Sequence, residues 1–390
     1  MFDTTTQASE HLEGLNARQV AAATHGDGPL LIIAGAGTGK TRTLAARVAH
    51  LVDRGIDPER ILLLTFTRRA AVEMLRRAEG LVHSNAVGRV WGGTFHSVAN
   101  RLLRRYGNAV GLDEGFTVLD RSDTEAMFGL LRTEHGFATS KTRFPRKETI
   151  ASIYSRVANA QAPLSDTLKE RYPWCADHAT ELSVLFRAYG DRKRDQNVID
   201  YDDLLLYLGA LLSSEAADTV RGLFDHVLVD EFQDTNRLQA SVLTALCGTT
   251  GNLTVVGDDA QSIYSFRAAR VENILGFPDD YPTAAVVTLD RNYRSTPEVL
   301  AVANAVIDAS DTAFDKQLWT ERPRGTVPVL VTCFDEAAQA DWVCDRVLDL
   351  RERGIDLRDQ AVLFRTGHHS GGLEMELARR NIPFVKYGGL

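Results

Sequence analysis

The stretch Leu30-Leu-Ile-Ile-Ala-Gly-Ala-Gly-Thr-Gly-Lys-Thr41 decides the fold. Five consecutive apolar residues read as a strand buried on both faces, because a half-exposed strand would alternate with polar residues. The strand runs straight into Gly35, Gly37 and Gly39, and a helical pattern follows from Thr41. Glycines permit backbone torsions that turn successive N–H groups toward one anion, at a helix N-terminus whose dipole favours it. The pattern is a P-loop, with Ala34 where the strict form has Gly. Ala34, Gly35, Ala36, Gly37, Thr38 and Gly39 form the cradle, Lys40 reaches the β/γ-phosphates, and the Thr41 hydroxyl is a ligand for Mg²⁺. Glycine-rich strand–helix turns also occur without ligands, so the loop calls for a second observation.

His226-Val-Leu-Val-Asp-Glu-Phe-Gln-Asp-Thr-Asn236 supplies it. An apolar run ends abruptly in Asp230, Glu231 and Asp234, and clustered carboxylates in low dielectric demand a cation. Asp230 sits at the carboxyl end of its strand, where open α/β sheets bind ligands. Its charge is balanced by the Mg²⁺ that Thr41 also holds. Glu231 points elsewhere and is placed to deprotonate an attacking water. An acidic surface turn accounts for Asp234 and Thr235 better than for Asp230. ATP hydrolysis is the leading chemistry, and the absence of an Asn-Lys-x-Asp pattern disfavours a GTPase.

At 390 residues the chain is too long for one ordinary core. No apolar stretch has the length a bilayer requires, and the N-terminus lacks a signal-peptide pattern, so no membrane partner is expected and the cytoplasm is the expected compartment. Cys175, Cys247, Cys333 and Cys344 show no C-x-x-C spacing, against a zinc site or disulfide framework. The net charge of −8 lowers the case for nucleic acid without deciding it, because phosphates meet a local channel and not the whole surface. Apolar runs at 30–34, 61–66, 226–230, 253–257, 285–289, 327–333 and 361–364 alternate with helical patterns, which predicts parallel sheets covered on both faces. Strand signal vanishes between about 97 and 217, where 149–160 and 201–212 read as helices. The organisation predicted is an α/β domain over 1–96 and 218–293, a helical insertion over 97–217, and a second α/β unit over 294–390 with helices at 296–307 and 373–380.

Five further segments carry chemistry: Leu15-Asn-Ala-Arg-Gln19, Thr65-Phe-Thr-Arg-Arg-Ala-Ala71, Gly93-Thr-Phe-His-Ser97, Val255-Val-Gly-Asp-Asp-Ala-Gln-Ser-Ile-Tyr-Ser-Phe-Arg267 and Leu289-Asp-Arg-Asn-Tyr-Arg-Ser295. Gln19 has an amide suited to an adenine edge. Aromatics at strand ends beside Arg, Thr and His suit single-stranded nucleic acid, where stacking contributes about 1–3 kcal/mol per base without sequence match. Phe66, Tyr264 and Phe266 are the stacking candidates, and Arg68, Thr94, His96 and Arg267 the phosphate candidates. Each aromatic also has a core reading, which Phe95 favours.

The order of these motifs resembles superfamily 1A DNA helicases of the UvrD/PcrA/Rep family, over essentially the whole chain. The resemblance implies two RecA-like domains (1A and the first part of 2A, with the helical insertion as subdomain 1B), ATP hydrolysed in the cleft between them, and 3′–5′ motion along single-stranded DNA and its junctions with duplex. It implies that Gln19 binds adenine between Arg42 and Tyr293, that Gln261 senses the γ-phosphate, and that Arg294 reaches that phosphate from the second domain. Arg365 resembles a position near the DNA backbone, and the basic run Lys141-Thr-Arg-Phe-Pro-Arg-Lys147 is either a duplex contact or a solvated loop. Repair and replication proteins are candidate partners. Arg68-Arg69 replaces a common Asn-Lys, and Phe266 a common Trp, which keeps charge and stacking in place. The chain ends at Tyr387-Gly-Gly-Leu390, before the family's later motifs and its arginine finger, worth roughly 10³–10⁵ in rate in related phosphoryl transfers. Slow hydrolysis and poor unwinding by this chain alone are therefore expected. A different class, an ATP-gated single-strand-binding or regulatory subunit completed by a partner, is weakened by the presence of a general base, and an ordinary P-loop kinase leaves the aromatic–basic segments unexplained.

Overall fold

The computed structural model describes residues 10–82, 85–139, 144–310 and 314–387. The apolar runs become strands where each finds a neighbour. These are β1 (Leu30–Ala34), β2 (Ile61–Leu64), β3 (Trp91–Gly93), a short pair β4 (Thr117–Val118) and β5 (Val198–Ile199), then β6 (His226–Val229), β7 (Leu253–Gly257) and β8 (Ala285–Leu289). Six of them form one parallel sheet in the order β3-β2-β6-β7-β1-β8. Successive side chains point to opposite faces. Leu31, Ile33, Leu62, Leu64, Val227, Val229 and Val255 accordingly enter one core, and Leu30, Ile32, Leu63, Leu228 and Val256 the other. Helices Lys40–Asp53 and Arg68–Val82 contribute to the second core, and Phe95–Tyr106, Tyr201–Leu211 and Arg237–Cys247 to the first. This is the mixed α/β, RecA-like arrangement that the sequence predicts.

The topology sets the site. β7 lies between β1, which ends in the P-loop, and β6, which ends at Asp230 and Glu231, so the turn after β7 is flanked by both. The run at 61–66 stops being a strand at Leu64. The Thr65 N–H still donates to the Gly93 carbonyl at 3.0 Å, and Phe66 then leaves the sheet.

Within residues 97–217, read from the sequence as mainly helical, β4 and β5 pair in parallel over two residues. Helices Phe95–Tyr106 and Tyr201–Leu211 pack on the sheet, while Arg121–Glu134, Lys147–Ala160 and Ala179–Asp195 enclose a separate core around Phe128, Ile150, Ile153, Leu185 and Tyr189. Where the two cores meet, buried Lys193 donates to Asp200 Oδ2 at 2.7 Å and to Asp203 Oδ2. Those aspartates form the capping box of helix Tyr201–Leu211.

A second compact unit spans Thr326–Leu390, so residues 294–325, read from the sequence as its beginning, group with the first unit. Its helices Glu336–Glu352 and Gly371–Arg379 pack through Ala340, Cys344, Leu373 and Leu377. The runs at 327–333 and 361–364 are not strands, and Leu330 and Leu363 are almost fully exposed. An apolar run becomes a strand only when another backbone satisfies its ladder, and the described residues place none beside these two. Among the described residues no helix is long and apolar enough to cross a membrane, and Cys175, Cys247, Cys333 and Cys344 are free thiols.

Arg47, on the P-loop helix, is wholly buried. Its guanidinium donates to Thr254 Oγ1 at 2.9 Å and to the carbonyls of Ala22, Ala23, His25 and Gly26 at 3.3, 3.4, 2.8 and 3.5 Å. Burial pulls its pKa down to about 10. The residue thus caps the end of helix Ala17–Ala23, which carries Gln19, from the helix that carries Lys40. Replacing it leaves several carbonyls without donors. Arg47→Met is expected to lower unfolding free energy by at least about 2 kcal/mol in urea titrations; a loss under about 0.5 kcal/mol would contradict this role.

Candidate functional site

The P-loop takes the shape that its glycines permit. Gly37 (φ 72°) and Gly39 (φ 89°) occupy the left-handed region, and Gly39 is the N-cap of helix Lys40–Asp53. Gly35 is needed for a different reason: a Cβ there would lie 2.5 Å from Leu318 Cδ2. Gln19 Nε2 donates to the Thr38 carbonyl at 2.9 Å, while Gln19 Oε1 accepts from the Asn16 N–H at 2.9 Å. The amide therefore ties its own helix cap to the P-loop. Gln19, Gly37, Gly39, Arg42 and Tyr293 line one cleft of about 160 Å³. The Tyr293 N–H donates to the Gly37 carbonyl at 2.9 Å, and its hydroxyl accepts from Asn16 Nδ2 at 2.9 Å.

Asn292, which the sequence reading passed over, is buried beside them. Its Nδ2 donates to the Ala36 carbonyl at 2.6 Å, and its Oδ1 accepts from the Arg294 and Ser295 N–H groups at 2.8 and 2.7 Å. A Cβ on Gly37 would fall 2.8 Å from Arg294 Cβ, so the backbone of Arg294 already abuts the loop.

At the end of β6, Lys40 Nζ meets Glu231 Oε2 at 2.9 Å. Glu231 has φ 52° and ψ 47°, a left-handed conformation that a non-glycine residue adopts at a cost and that recurs at functional sites. Gln233 holds the far side. Its Nε2 donates to Glu231 Oε2 at 2.8 Å, and its Oε1 accepts from the Asp258 N–H at 3.0 Å. Gly257 leaves room for that side chain, since a Cβ there would stand 2.5 Å from Gln233 Oε1. Asp258 Oδ2 in turn accepts from Gln261 Nε2 at 2.6 Å. The polar chain Lys40–Glu231–Gln233–Asp258–Gln261 thus crosses three strand ends.

Positive charge is short in this neighbourhood. Burial, then the Glu231 charge, pushes Asp230 up to about 7 despite the counteracting pull of Lys40. The same two causes raise Asp234 to about 6, and its buried Oδ1 has no hydrogen-bond partner among the described residues. Where the sequence reading allowed a surface turn, Asp234 is half-buried. Thr235 is buried and donates to the Phe232 carbonyl at 2.6 Å. Among the described residues no three acidic, His or Cys side chains cluster in a way that could hold a metal by themselves.

Beyond Gln261 the chain reaches an aromatic patch. The Phe66 and Tyr264 rings lie 4.8 Å apart, and those of Tyr264 and Phe266 5.7 Å apart. Phe66 is 36% and Phe266 64% exposed, whereas Phe95 lies in the core. Arg156, from the insertion, donates to the Ser265 carbonyl at 2.7 Å beneath the patch. Arg68 is exposed at the start of helix Arg68–Val82. Thr94 is the N-cap of helix Phe95–Tyr106, its hydroxyl accepting from the Ser97 N–H at 3.3 Å. His96 follows in the first turn, with its ring 6.0 Å from that of Tyr201 and burial lowering its pKa. The Arg267 side chain and residues 140–143 of the basic run lie outside the described residues, while Arg146 and Lys147 are exposed. Arg365 is exposed in the second unit.

A parallel sheet with a P-loop after one strand and carboxylates at the end of another defines a P-loop α/β domain. The model of the UvrD/REP helicase N-terminal domain matches residues 15–282, and that of the UvrD-like helicase C-terminal domain residues 287–390, so the chain belongs to the UvrD/REP helicase family. It is 39% identical over 385 residues to an ATP-dependent DNA helicase PcrA of Leuconostoc citreum, covering 96% of this chain and 50% of that one. It is 34% identical to the PcrA of Staphylococcus epidermidis (97% and 51% covered) and 34% identical to a probable DNA helicase II homolog of Mycoplasma capricolum (97% and 52%). The chain spans about half the length of these relatives.

The uncompensated carboxylate gives a test. A carboxyl whose folded pKa lies at about 7 against an ordinary value of 3.8 binds more protons folded than unfolded, so its cost to stability grows as pH rises from about 4 to 7 and is complete above. Asp230→Asn is expected to stabilise the metal-free, nucleotide-free chain at pH 8 by roughly 1–3 kcal/mol and to leave it unchanged near pH 4. Thermal denaturation at the two pH values measures it, and equal stability of both proteins at pH 8 would contradict the assignment.

Proposed function

We propose that the chain is an ATP-dependent DNA motor, a translocase and helicase moving 3′ to 5′ on single-stranded DNA. The observation that carries this reading is the unbroken polar route from Lys40 through Glu231, Gln233 and Asp258 to Gln261, three residues before the Tyr264 patch. A nucleotide pocket with no second ligand has no need of such a route.

The chemistry follows from the contacts. Adenine occupies the cleft of Gln19, Arg42 and Tyr293, with the triphosphate over the loop N–H groups. An arriving γ-phosphate draws Lys40 away from Glu231. The freed carboxylate, still held by Gln233, accepts a proton from the attacking water. Thr41 and Asp230 are the groups that would hold Mg²⁺ entering with ATP. The raised pKa of Asp230 and the orphaned Asp234 Oδ1 fit a place reserved for a cation. When bound, the ion supplies charge neutralisation at the phosphates. Gln261 reports the γ-phosphate to Asp258 and onward to the aromatic turn. Arg294 adds positive charge at the same phosphate. Phe66, Tyr264 and Phe266 stack on bases, and Arg68, Thr94, His96, Arg267 and, in the second unit, Arg365 meet the backbone.

Single-stranded oligonucleotide is expected to raise the ATPase rate, and Glu231→Gln to abolish turnover while ATP binding persists. DNA binding without any ATPase response would instead identify an ATP-gated binding subunit. Tyr264→Ala should lose about 1–3 kcal/mol of oligonucleotide affinity. The log–log salt dependence of binding should have a slope of about −0.7 per phosphate contacted, and a flat response would remove the proposed channel. Unwinding of duplexes with 3′ but not 5′ single-stranded tails tests the polarity.

A further inference from the structure

Residues 314–319 lie across the strand ends as a strap. Lys316, almost fully buried, donates from Nζ to Asp258 Oδ1 at 2.6 Å and to Asp259 Oδ1. The Phe314 N–H adds a bond to Asp259 Oδ2 at 3.2 Å. Further along, Leu318 packs where Gly35 lacks a side chain, and the Trp319 carbonyl accepts from the Asn292 N–H at 2.7 Å. Asn292 itself holds the Ala36 carbonyl of the P-loop. The strap is anchored to helix Pro297–Asp308 by reciprocal bonds between Asn304 and Leu318 at 2.9 and 3.1 Å. One short segment thus touches both the phosphate cradle and the turn after β7.

The electrostatics make Lys316 the decisive residue of that strap. Asp258 and Asp259 are adjacent, buried, and would repel each other without a cation. Among the described residues Lys316 forms an ion pair with each of them. Asp258 is also the acceptor of the Ala260 N–H at 3.2 Å and of Gln261 Nε2 at 2.6 Å, so the conformation of the whole sensing turn follows its carboxylate. A buried ion cluster of this kind is seldom the most stabilising solution available, because well-packed apolar residues commonly do as well. Its distinctive property is to define one geometry.

We propose that Lys316 is a positioning residue of the motor: by holding Asp258 and Asp259 together it fixes the turn that carries Gln261 and Tyr264, and through Leu318 and Trp319 it couples that turn to the P-loop. The inference rests on the functional reading above. Lys316 acts where the route through Glu231 and Gln233 arrives, at Asp258, so that route also depends on this residue.

The test uses the full 390-residue chain. Affinity for a fluorescent oligothymidylate is measured by anisotropy, with and without a non-hydrolysable ATP analogue and Mg²⁺, beside direct titration of the analogue. In the wild-type chain the analogue should change oligonucleotide affinity by about 5- to 150-fold. Lys316→Met should retain analogue binding and lose the coupling, the change falling below about 3-fold. The double variant Lys316→Met/Asp259→Asn, which leaves one fewer uncompensated charge, should show the same loss and answers for the single variant if that fails to fold. Full coupling in Lys316→Met overturns the proposal, as does coupling restored in the double variant, which would reduce Lys316 to charge balance. A double variant that does not fold assigns a purely structural role and overturns it too. A wild-type chain that binds both ligands without coupling sinks this inference and the Gln261 relay but leaves the ATP and DNA sites standing, whereas one that binds neither sinks the functional reading beneath it.

Discussion

Negative charge held at the carboxyl edge of a parallel sheet is the constraint on which the rest of the structure depends. Asp230, Glu231, Asp234, Asp258 and Asp259 lie at or just past the ends of two neighbouring strands. In low dielectric such groups must find cations, share protons or move to water. Here Lys40 serves Glu231 and Lys316 serves Asp258 and Asp259, while Asp230 and Asp234 are left with raised pKa values. The unmet demand at Asp230 lies at the end of β6, with β7 between it and the strand that leads into the glycine loop, where on the proposed reading a metal-bound triphosphate would enter.

The same constraint explains why the site is wired by amides. Gln233, Gln261 and Asn292 each offer a donor and an acceptor on one planar group, so each can join two strand ends without adding charge. Gln233 joins Glu231 to Asp258, and Asn292 joins the Ala36 carbonyl to the backbone of Arg294 and Ser295. Buried networks of this kind are strong when complete and costly when broken. On the proposed reading, a change at the phosphates would be carried along bonds that hold only in certain arrangements, as a nucleotide-driven movement requires.

Arg47 solves a related problem on the other face of the sheet. A guanidinium can serve five acceptors, and four carbonyls at the end of helix Ala17–Ala23 converge on it. The helix carrying Gln19 and the helix carrying Lys40 are thereby fixed relative to one another, so the two ends of a bound nucleotide would meet a rigid frame.

Much of this was legible in the sequence, because it depends on contiguous residues. Five apolar residues followed by spaced glycines, Lys and Thr can form little besides a buried strand and an anion-binding helix start, and apolar strands ending in Asp-Glu place carboxylates at a sheet edge. The gathering of Phe66, Tyr264 and Phe266 into one exposed patch agrees with reading them as a set. Residues whose partners are remote in the chain were not legible: Lys316 lies 57 and 58 positions from its aspartates, and nothing local distinguishes it or Arg47 from a solvated cation. The runs at 327–333 and 361–364 fail for the mirror reason, since apolarity qualifies a segment for a ladder but only a neighbouring backbone completes one. Sequence alone determined the glycine turn before the helix and the acidic strand end, because torsional freedom and charge are local properties. Tertiary structure decided which cation answers which carboxylate, because in a buried site that pairing depends on what the fold brings within hydrogen-bond reach.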